Sequence, residues 1–519
     1  MLAASVLLLL VGLPLPLTDG VTAFYGKVAK NMLAAGDWLT PRHDTMRVVD
    51  KPPLMFWLMS LSFAAFGTAE WALRLWHVMG SVALALATYA LARLAVPAGE
   101  ALAAGAVLLT GAQFFYQSLV PEPHIPLALF LTLAVYWHLR WEREGRLHAS
   151  LLTWLSAALA VLSIGIAGAA MVALVIGAHL VVDRPPRPRR AGRAVTLGAA
   201  VFLVVAAPWF VIGAVRQGRP FLDTFFVGGT LGVTRFFHHV QAAPTVVPWW
   251  AGFGAYLLLL PLGVLPWSGW LWPALREGWA ARRAPGSILW VCALWIIVVL
   301  GFLSVSLGDK SSRYLLPVLP PVAVLIGRIV GDLRWSREAA VVSLALAVPL
   351  LGMVTVVALV KFPEEAARYT PIFWAFLPAF AAGLGAYAVA TFIGRPGTGV
   401  AWLAGLTLLA YGLAIVTTAR IWDQVTPWRS LARIVNAQAW PGAHVVMLGS
   451  DNAFIDYYVT RPVEYAGEAD LAREWTAEPI IAILPAEVLS RLPASPGRVI
   501  VGSAPGGLVV VRNRSLARR

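Results

Sequence analysis

Long apolar runs separated by short polar loops make up most of the chain. A helix that crosses the hydrocarbon core of a bilayer needs about 20 mainly apolar residues, so each run predicts a transmembrane helix. The thirteen predicted helices lie near residues 2–17, 72–94, 101–119, 125–141, 149–163, 166–182, 194–214, 248–273, 286–306, 314–330, 339–360, 372–393 and 399–419. The stretch 149–182 is either one long helix or a tight hairpin that divides at Gly165.

The segment at residues 18–71 departs from this pattern, because charged residues collect in it directly after the first apolar run. Residues 22–35 predict an amphipathic helix that ends before a glycine. Residues 53–66 predict an apolar helix that begins at a pair of prolines, which favour the first turn of a helix. Both helices are expected to lie on the membrane surface rather than to cross it.

The chain changes character again beyond about residue 421, where short apolar runs alternate with polar stretches. This pattern predicts two buried strands and two helices, at residues 444–448, 480–484, 426–439 and 485–492. We therefore predict a transmembrane domain over residues 1–420 and a soluble α/β domain over residues 421–519.

The composition is typical of a membrane protein. Of 519 residues, 59% are hydrophobic and only 13% are charged, and the mean hydropathy is +0.75. A soluble protein of this length could not bury so much apolar surface. We predict an all-α polytopic membrane protein, surrounded by membrane lipid, with about 13 transmembrane helices and a small C-terminal α/β domain. The single cysteine, Cys292, excludes a disulfide framework and a cysteine-rich zinc site.

The net charge of +14 does not indicate nucleic-acid binding, because the arginines occupy short loops between apolar runs. If the N-terminus is cytoplasmic and 149–182 contains two helices, the arginine-rich loops all fall inside, near residues 140–146, 184–193, 276–283, 328–337 and 395. The extracytoplasmic side then receives residues 18–71, the short turn around Glu122, residues 215–247, 307–313 and 361–371, and everything beyond about 420. The first run has no basic start or small-residue cleavage site, so we interpret it as a retained helix.

The ionisable residues that could carry chemistry gather in the predicted extracytoplasmic loops. Asp19 could be a general base that takes a proton from an acceptor hydroxyl, or it could only cap the helix that follows. Lys51 could clamp a phosphate, or it could extend toward lipid headgroups. Lys310 and Arg313 share a short turn and could form an anion site, or they could anchor that turn at the interface.

Histidines supply two further candidate sites. Glu122 and His124 lie in a proline-rich turn, where they could assist catalysis or could simply be solvated. His238 and His239 are adjacent and point to different sides of a helix, so the pair is not expected to chelate a metal together. One of them could join Asp50 in a site for a divalent metal ion. The sequence indicates no other cofactor.

Several of these residues stand in motifs that occur in a fixed order along residues 19–330. The motifs are Asp19, the run from Tyr25 to Arg42, Asp50-Lys51-Pro52-Pro53, Pro208-Trp209, Arg235-Phe236, Leu265-Pro266-Trp267-Ser268, and Lys310 with Arg313-Tyr314. As an ordered set they resemble the polyprenyl-phosphate-sugar-dependent glycosyltransferases, which include protein O-mannosyltransferases and lipid A aminoarabinose transferases. The resemblance implies the GT-C fold, in which a large outer loop carries the catalytic acid.

The resemblance also implies roles for individual residues. Asp19 matches the catalytic acid, and Lys51 matches the lysine that contacts the donor phosphate. Lys310, Arg313 and Tyr314 match the basic pair of a late outer turn and the tyrosine after it. The motifs further make four residues candidates for substrate binding, namely Tyr25, Arg42, Asp50 and Arg235.

The chain departs from the family pattern at four places. Gly20 and Asp50 stand where the family has glutamates, and Ile164 stands where it has a lysine. The second-loop position that commonly holds an aspartate aligns with His124, with Glu122 two residues earlier. These differences bear on the substrate more than on the class of reaction.

The sequence therefore predicts an integral glycosyltransferase of the bacterial inner membrane, with an extracytoplasmic active site and C-terminal domain. The expected donor is a polyprenyl-phosphate-linked sugar, and the acceptor is a hydroxyl or phosphate of a lipid, glycan or protein. Transfer would be an inverting single displacement, with Asp19 as base and His124 or Glu122 as helper. A flippase for a lipid-linked sugar, or a binding homologue without activity, remains the alternative. The nearly charge-free middle of the predicted helices favours the enzyme over a flippase.

Overall fold

The computed structural model describes residues 2–43, 51–186, 188, 191–227, 249–284, 286–305, 310–361, 363–495 and 497–513. Four predicted site residues lie outside these ranges, namely Asp50, Arg235, His238 and His239. Their roles in substrate or metal binding therefore stay predictions.

The described part of the chain up to residue 425 is helical. Its α-helices are α1 (Leu2–Gly12), α2 (Gly20–Ala35), α3 (Leu54–Phe66), α4 (Glu70–Arg93), α5 (Ala98–Thr110), α6 (Ala112–Ser118), α7 (His124–Glu144), α8 (Leu147–Ile164), α9 (Ile166–Val182), α10 (Ala191–Gln217), α11 (Arg219–Leu222), α12 (Trp249–Gly263), α13 (Leu271–Ala280), α14 (Ile288–Val305), α15 (Leu319–Asp332), α16 (Ser336–Lys361), α17 (Pro363–Phe392) and α18 (Pro396–Val425). Short turns of 3-10 or π-helix occur at Asp223–Val227, Trp267–Trp270, Ala281–Arg283 and Ser312–Val318.

Each predicted transmembrane run overlaps one of these helices or a bent pair of them, although the first run, predicted at 2–17, is helical only over Leu2–Gly12. Within the described residues, seven helices are long and apolar enough to cross a membrane, or nine if each bent pair counts as one span. The two pairs bend by 65° between α5 and α6, and by 118° between α12 and α13. The chain is thus a polytopic helical membrane protein, and the number of thirteen spans stays a prediction.

The stretch 149–182 forms two helices, as the distribution of arginines required. Gly165 separates α8 from α9 with a backbone φ of +87°, which residues with a side chain rarely adopt. A Cβ on the nearby Gly168 would lie 2.3 Å from the carbonyl oxygen of Ala160. The close packing of the two helices therefore depends on glycine.

The two helices predicted in the first loop are confirmed as α2 and α3, and their location on the membrane surface stays a prediction. The side chain of Asp19 caps α2, and Gly36 closes that helix in the left-handed conformation with φ +65°. The buried faces of α2 and α3 share one apolar cluster with the start of α4. This cluster gives the first loop a fixed structure and holds Asp19 in place.

The C-terminal part folds as a mixed sheet of five strands, at β1 (His444–Leu448), β2 (Val463–Ala466), β3 (Ile480–Pro485), β4 (Val499–Ala504) and β5 (Leu508–Arg512). The strand order is β2-β1-β3-β5-β4, with β1 parallel to both of its neighbours and β5 antiparallel to both of its neighbours. Three α-helices flank the sheet, at α19 (Trp428–Gln438), α20 (Ala453–Tyr458) and α21 (Glu468–Ala477).

The sequence predicted β1, β3 and α19, and the structure confirms all three. The helix predicted at 485–492 is a 3-10 helix over Ala486–Arg491. The membrane helix α18 continues to Val425, and only Thr426 and Pro427 separate it from α19. The exact boundary near residue 420 between the two domains stays a prediction.

The C-terminal domain is docked on the first loop through α20. Tyr457 inserts its ring into the apolar cluster of α2 and α3, and its hydroxyl donates to the carbonyl of Thr68 at 2.9 Å. Lys30 on α2 donates to the carbonyl of Tyr457 at 2.6 Å and lies 3.7 Å from its ring centroid. A Cβ on Gly26 would lie 2.6 Å from the same ring, so glycine permits this approach. We call the side of the helix bundle that carries this domain the domain face.

We expect Tyr457→Ala to destabilise the docked domain by about 3 kcal/mol, because it removes a fully buried aromatic ring. Tyr457→Phe keeps the ring and removes only the hydroxyl, so its effect should be about 1 kcal/mol. Hydrogen exchange of the α2 amides measures the effect, and exchange should rise strongly in the alanine variant. Equal exchange in both variants would show that the ring does not hold the domain.

Candidate active site

Asp19 lies where the first helix gives way to the first loop on the domain face. Its carboxylate oxygen Oδ1 accepts from the backbone N–H of Thr22 at 2.7 Å, so Asp19 is the N-cap of α2. Burial raises the pKa of Asp19, the charge of Glu122 raises it further, and the hydrogen bond from Thr22 opposes both. The carboxylate is thus a helix cap and also a base stronger than an exposed aspartate.

Arg74 fixes the segment that leads into Asp19, a role that the sequence did not reveal. Pro14 and Pro16 end the helical path after α1 and leave backbone carbonyls without helical partners. Arg74, buried on α4, donates to the carbonyls of Leu13 at 3.1 Å and Pro16 at 2.8 Å. An arginine inside an apolar transmembrane run is rare and could have signalled this role.

Glu122 and His124 form a buried cluster with Arg313 close to Asp19. Arg313 donates through Nη1 to Glu122 Oε1 at 2.7 Å, and the second oxygen of Glu122 lies 3.3 Å from His124 Nδ1. Glu122 is 4% exposed and His124 is 5% exposed. The alternative of a solvated pair is therefore wrong. The turn from Pro121 places both side chains inward because α7 begins at His124 and packs against the turn that carries Arg313.

Several polar atoms of this cluster have no hydrogen-bond partner among the residues that the structure describes. These atoms are Nδ1 and Nε2 of His124, Oε2 of Glu122 and Nε of Arg313. Buried polar groups are almost always paired in folded proteins, so unpaired ones indicate a place for a ligand or water. The cluster can therefore donate to an anion through Arg313 and exchange a hydrogen bond through His124.

The structure brings three more predicted residues to this cluster. Tyr314 meets the His124 ring edge-on at 5.3 Å between ring centroids. Tyr25 is buried on α2 and is close enough to act electrostatically on Arg313. Lys51 is likewise close enough for its charge to act on the His124 ring. The first loop, the turn at Glu122 and the turn at Arg313 therefore meet at one site.

Two acids of the site differ in their electrostatics. Although burial raises the pKa of Glu122, the adjacent His124 and Arg313 outweigh burial and hold that pKa below its usual range. Among the residues that the structure describes, no cation is seen in an ion pair with Asp19, and burial outweighs the more distant charge of Arg74, so the pKa of Asp19 is raised. Glu122 is therefore suited to remain an anion that orients Arg313, and Asp19 is suited to accept a proton.

Lys310 has a different environment from Arg313. Its ammonium donates to the carbonyls of Leu303 at 2.8 Å and Ser304 at 3.2 Å, which are orphan groups near the end of α14. Burial lowers the pKa of Lys310. Its ammonium lies 5.6 Å from the ring centroid of Tyr256. Lys310 thus caps a helix, and its predicted contact with a phosphate stays a prediction.

Arg42 is not in the cluster around Asp19. Asn31 donates to the Arg42 carbonyl at 3.3 Å, and Asn31 is twelve residues along α2 from Asp19, or about 18 Å of helix. The Arg42 guanidinium is exposed and lies 3.9 Å from Asp37. A cavity of about 490 Å³ opens beside it. Its role in substrate binding stays a prediction for a second part of the loop.

Gly20, where the family resemblance expects a glutamate, leaves room for a side chain. Among the residues that the structure describes, a Cβ at this position would meet only Phe454 of α20, at 4.0 Å. The absence of a second acid beside Asp19 is therefore not forced by crowding. The space next to Asp19 is bounded instead by the C-terminal domain.

The raised pKa of Asp19 predicts the acid side of the pH profile. A general base acts when deprotonated, so activity should fall with falling pH through a midpoint above 3.8, the usual value for aspartate. Glu122→Gln removes a negative charge that raises this pKa, so the midpoint of kcat/KM against pH should move to lower pH. Glu468→Gln, on the exposed surface of the C-terminal domain, should leave the midpoint unchanged. An upward shift in Glu122→Gln would contradict the assignment.

Proteins of known family have sequences similar to parts of this chain. A family model described as dolichyl-phosphate-mannose-protein mannosyltransferase matches residues 50–212. Curated relatives include the undecaprenyl phosphate-alpha-4-amino-4-deoxy-L-arabinose arabinosyl transferases of Pseudomonas aeruginosa strain LESB58, 31% identical over 333 residues, and of Edwardsiella ictaluri, 25% identical over 327 residues. Each alignment covers 61% of this chain and 56% of the relative. The matched region is thus little more than half the length of these relatives.

Solved structures extend the likeness to the whole fold. The crystal structure of ArnT from Cupriavidus metallidurans bound to undecaprenyl phosphate superposes with a TM-score of 0.79 at 21% identity, covering 99% of this chain and 98% of that one. An oligosaccharyltransferase from Archaeoglobus fulgidus gives a TM-score of 0.50 at 14% identity, covering 89% of this chain and 64% of that one.

The helix bundle, the structured first loop and the C-terminal sheet together define a polytopic membrane protein with the GT-C fold. In sequence, the chain is similar to the aminoarabinose transferases and, over residues 50–212, to the mannosyltransferase family model.

Proposed function

We propose that this protein is a membrane glycosyltransferase that moves a sugar from a polyprenyl-phosphate donor to a hydroxyl or phosphate acceptor. The observation that carries the proposal is the buried cluster of Glu122, His124 and Arg313 beside Asp19. Its unpaired polar atoms suit an anionic, hydroxyl-bearing ligand. The relatives named for undecaprenyl-phosphate-linked aminoarabinose, and the ArnT structure with undecaprenyl phosphate, support this class of donor.

The donor phosphate is assigned to the cationic part of the site. Arg313 holds Glu122 with one nitrogen and keeps Nε without a partner among the described residues. A guanidinium fixed in this way can stabilise the charge that develops on the phosphate as it leaves. Lys51, which acts on the same cluster, is the second candidate for this contact. A phosphate leaving group needs charge neutralisation more than it needs a proton.

The acceptor side of the reaction is assigned to Asp19. The acceptor oxygen forms a bond to the anomeric carbon, and the bond from that carbon to the phosphate oxygen breaks. Asp19 takes the proton of the acceptor, and polyprenyl phosphate leaves with the electron pair. A single displacement of this kind inverts the anomeric centre. His124 can orient the acceptor through a ring nitrogen.

The location follows from the same proposal. In the predicted topology the arginine-rich loops lie on the side of the membrane opposite residues 18–71, and such loops are typically cytoplasmic. We therefore infer a bacterial inner-membrane protein whose site and C-terminal domain are extracytoplasmic. The acceptor is then a lipid, glycan or protein of the cell envelope, and no nucleic acid is involved.

Two other functions predict different results with purified protein in liposomes. Incubation with a panel of polyprenyl-phosphate sugars and an envelope-lipid acceptor should give labelled product and free polyprenyl phosphate. A flippase would move the donor between leaflets without consuming it, and a binding homologue would retain the donor unchanged. Either of those outcomes would overturn the proposal. Mass spectrometry of envelope lipids and glycans, with and without the gene product, would then identify the acceptor.

A further inference from the structure

A second cluster of ionisable side chains lies at the far end of α7, away from the candidate active site. It consists of His138 and Glu142 on α7 and His179 on α9, with one ligand atom from each residue within 4.8 Å of the others. His138 is fourteen residues along the helix from His124, which is about 21 Å. The cluster is therefore separate from the site around Asp19 and is not used by the proposed reaction.

The two histidines are buried, Glu142 is partly buried, and their ligand atoms lie close together. Glu142 Oε1 lies 3.0 Å from His138 Nε2, and Glu142 Oε2 lies 2.9 Å from His179 Nε2. His138 is 6% exposed and His179 is 3% exposed. Ligands of a tetrahedral zinc ion lie about 3.3 Å apart, since each is about 2.0 Å from the metal. The observed distances are close to that spacing.

The first of these contacts is not a hydrogen bond. His138 Nε2 and Glu142 Oε1 are both buried, and neither has a hydrogen-bond partner in the part of the chain that the structure describes. Buried polar atoms are almost always paired in folded proteins, so two adjacent atoms without a well-formed hydrogen bond favour a third group bound by both. A metal ion bound by both atoms would supply that group.

The surroundings of His179 also fit a metal ligand. Its other ring nitrogen, Nδ1, lies 2.6 Å from Oδ2 of Asp183. The remaining oxygen of Asp183 accepts from Trp290 Nε1 on α14 at 2.9 Å. A carboxylate behind the distal nitrogen of a metal-bound histidine fixes its tautomer and strengthens the ligand. With Nδ1 held by Asp183, Nε2 of His179, which hydrogen-bonds to Glu142 Oε2 at 2.9 Å, is the nitrogen that a metal ion would bind in place of the shared proton.

We propose that His138, Glu142 and His179 bind a divalent transition-metal ion, with Zn²⁺ as the best match to two imidazoles and one carboxylate. Asp183 and Trp290 are positioning residues for His179. The ion joins α7 to α9 and, through Asp183, orients them against α14. Glu142 is 12% exposed, so solvent reaches the cluster and can supply a fourth ligand. The proposal does not depend on the glycosyltransferase assignment.

The test uses the full-length protein, purified in detergent through an affinity tag without histidines. After dialysis against dilute Zn²⁺, elemental analysis should find about one zinc per chain. His138→Ala and His179→Ala should each lose that zinc, and His148→Ala should keep it. His148 is an exposed histidine at the same end of the bundle, which makes it a matched control. Wild-type protein without zinc, or retention of zinc by both cluster variants, would overturn the proposal.

A second measurement separates metal binding from a failure to fold. Asp183→Asn keeps all three ligands and should weaken zinc affinity by about 10-fold to 100-fold, measured by competition with a chromophoric chelator. Cobalt bound to the wild type should show the visible absorption of a tetrahedral site, and His138→Ala should not. Unchanged zinc affinity in Asp183→Asn, together with no cobalt spectrum in the wild type, would contradict the proposal. The two histidines and Glu142 would then only form hydrogen bonds and ion pairs with each other.

Discussion

Asp19→Asn is expected to lower kcat for sugar transfer by about 10²-fold to 10⁴-fold, the usual contribution of a general base. Asparagine caps a helix as well as aspartate does, so the hydrogen bond to the Thr22 N–H is retained. The variant therefore removes the base and keeps the fold of the first loop. Initial rates of product formation measure the first effect, and the thermal unfolding midpoint measures the second.

The control for this prediction is Asp470→Asn, which makes the same change at an exposed position of α21. It should leave both the rate and the unfolding midpoint unaltered. If Asp19→Asn transferred sugar at the wild-type rate, Asp19 would be only a helix cap. A large drop in the unfolding midpoint would instead indicate that the lost activity comes from a disordered loop.

Arg313→Ala is the variant with the second largest expected effect. Removal of the guanidinium should lower donor turnover by about 10²-fold to 10³-fold, because one charged contact to the leaving phosphate is lost. It also leaves Glu122 buried without its cation, which should destabilise the fold by about 1–3 kcal/mol. Turnover and unfolding free energy are both measured on purified protein.

The double variant Glu122→Gln with Arg313→Ala separates these two effects. Glutamine carries no charge, so the double variant should regain most of the stability lost in Arg313→Ala. Donor turnover should remain low, because the contact to the phosphate is still missing. Recovery of turnover together with stability would show that Arg313 acts only through the ion pair with Glu122.

The helices were predictable from the sequence because each depends on a local pattern. Apolar length defines the membrane helices, and a capping residue and a glycine define the bounds of α2. Gly165 and the distribution of arginines predicted that the stretch 149–182 contains two helices, and the structure confirms this prediction. Asp19 could be chosen for the same reason, since a lone carboxylate next to a membrane helix is visible in the sequence.

The interactions that build the site were not predictable in the same way, because they join segments far apart in the chain. Arg313 meets Glu122 across 191 positions, and Lys30 meets the backbone of Tyr457 across 427. The burial of Glu122 and His124 depends on the packing of α7 against the turn at Arg313, which no local pattern encodes. Strand β4 is largely exposed, so it lacked the apolar run that revealed β1 and β3.

The docking of the C-terminal domain on α2 gives the site a boundary that the sequence did not suggest. Phe454 faces Gly20, and His43 of the first loop lies 3.7 Å from the buried Asp456. Both contacts place α20 next to the loop that carries Asp19. We therefore expect the domain to limit which acceptors can approach the base, and substrate choice to depend on it.

The central claim is that sugar transfer takes place at the domain face, in the site formed by Asp19, Glu122, His124 and Arg313. The most direct test is donor turnover by the purified protein in liposomes, with the donor confined to one leaflet and the orientation established by protease access to the C-terminal domain. The account predicts release of polyprenyl phosphate only when the donor is in the leaflet on the domain face, and its loss in Asp19→Asn. Turnover from the opposite leaflet alone, or undiminished turnover in that variant, would contradict it.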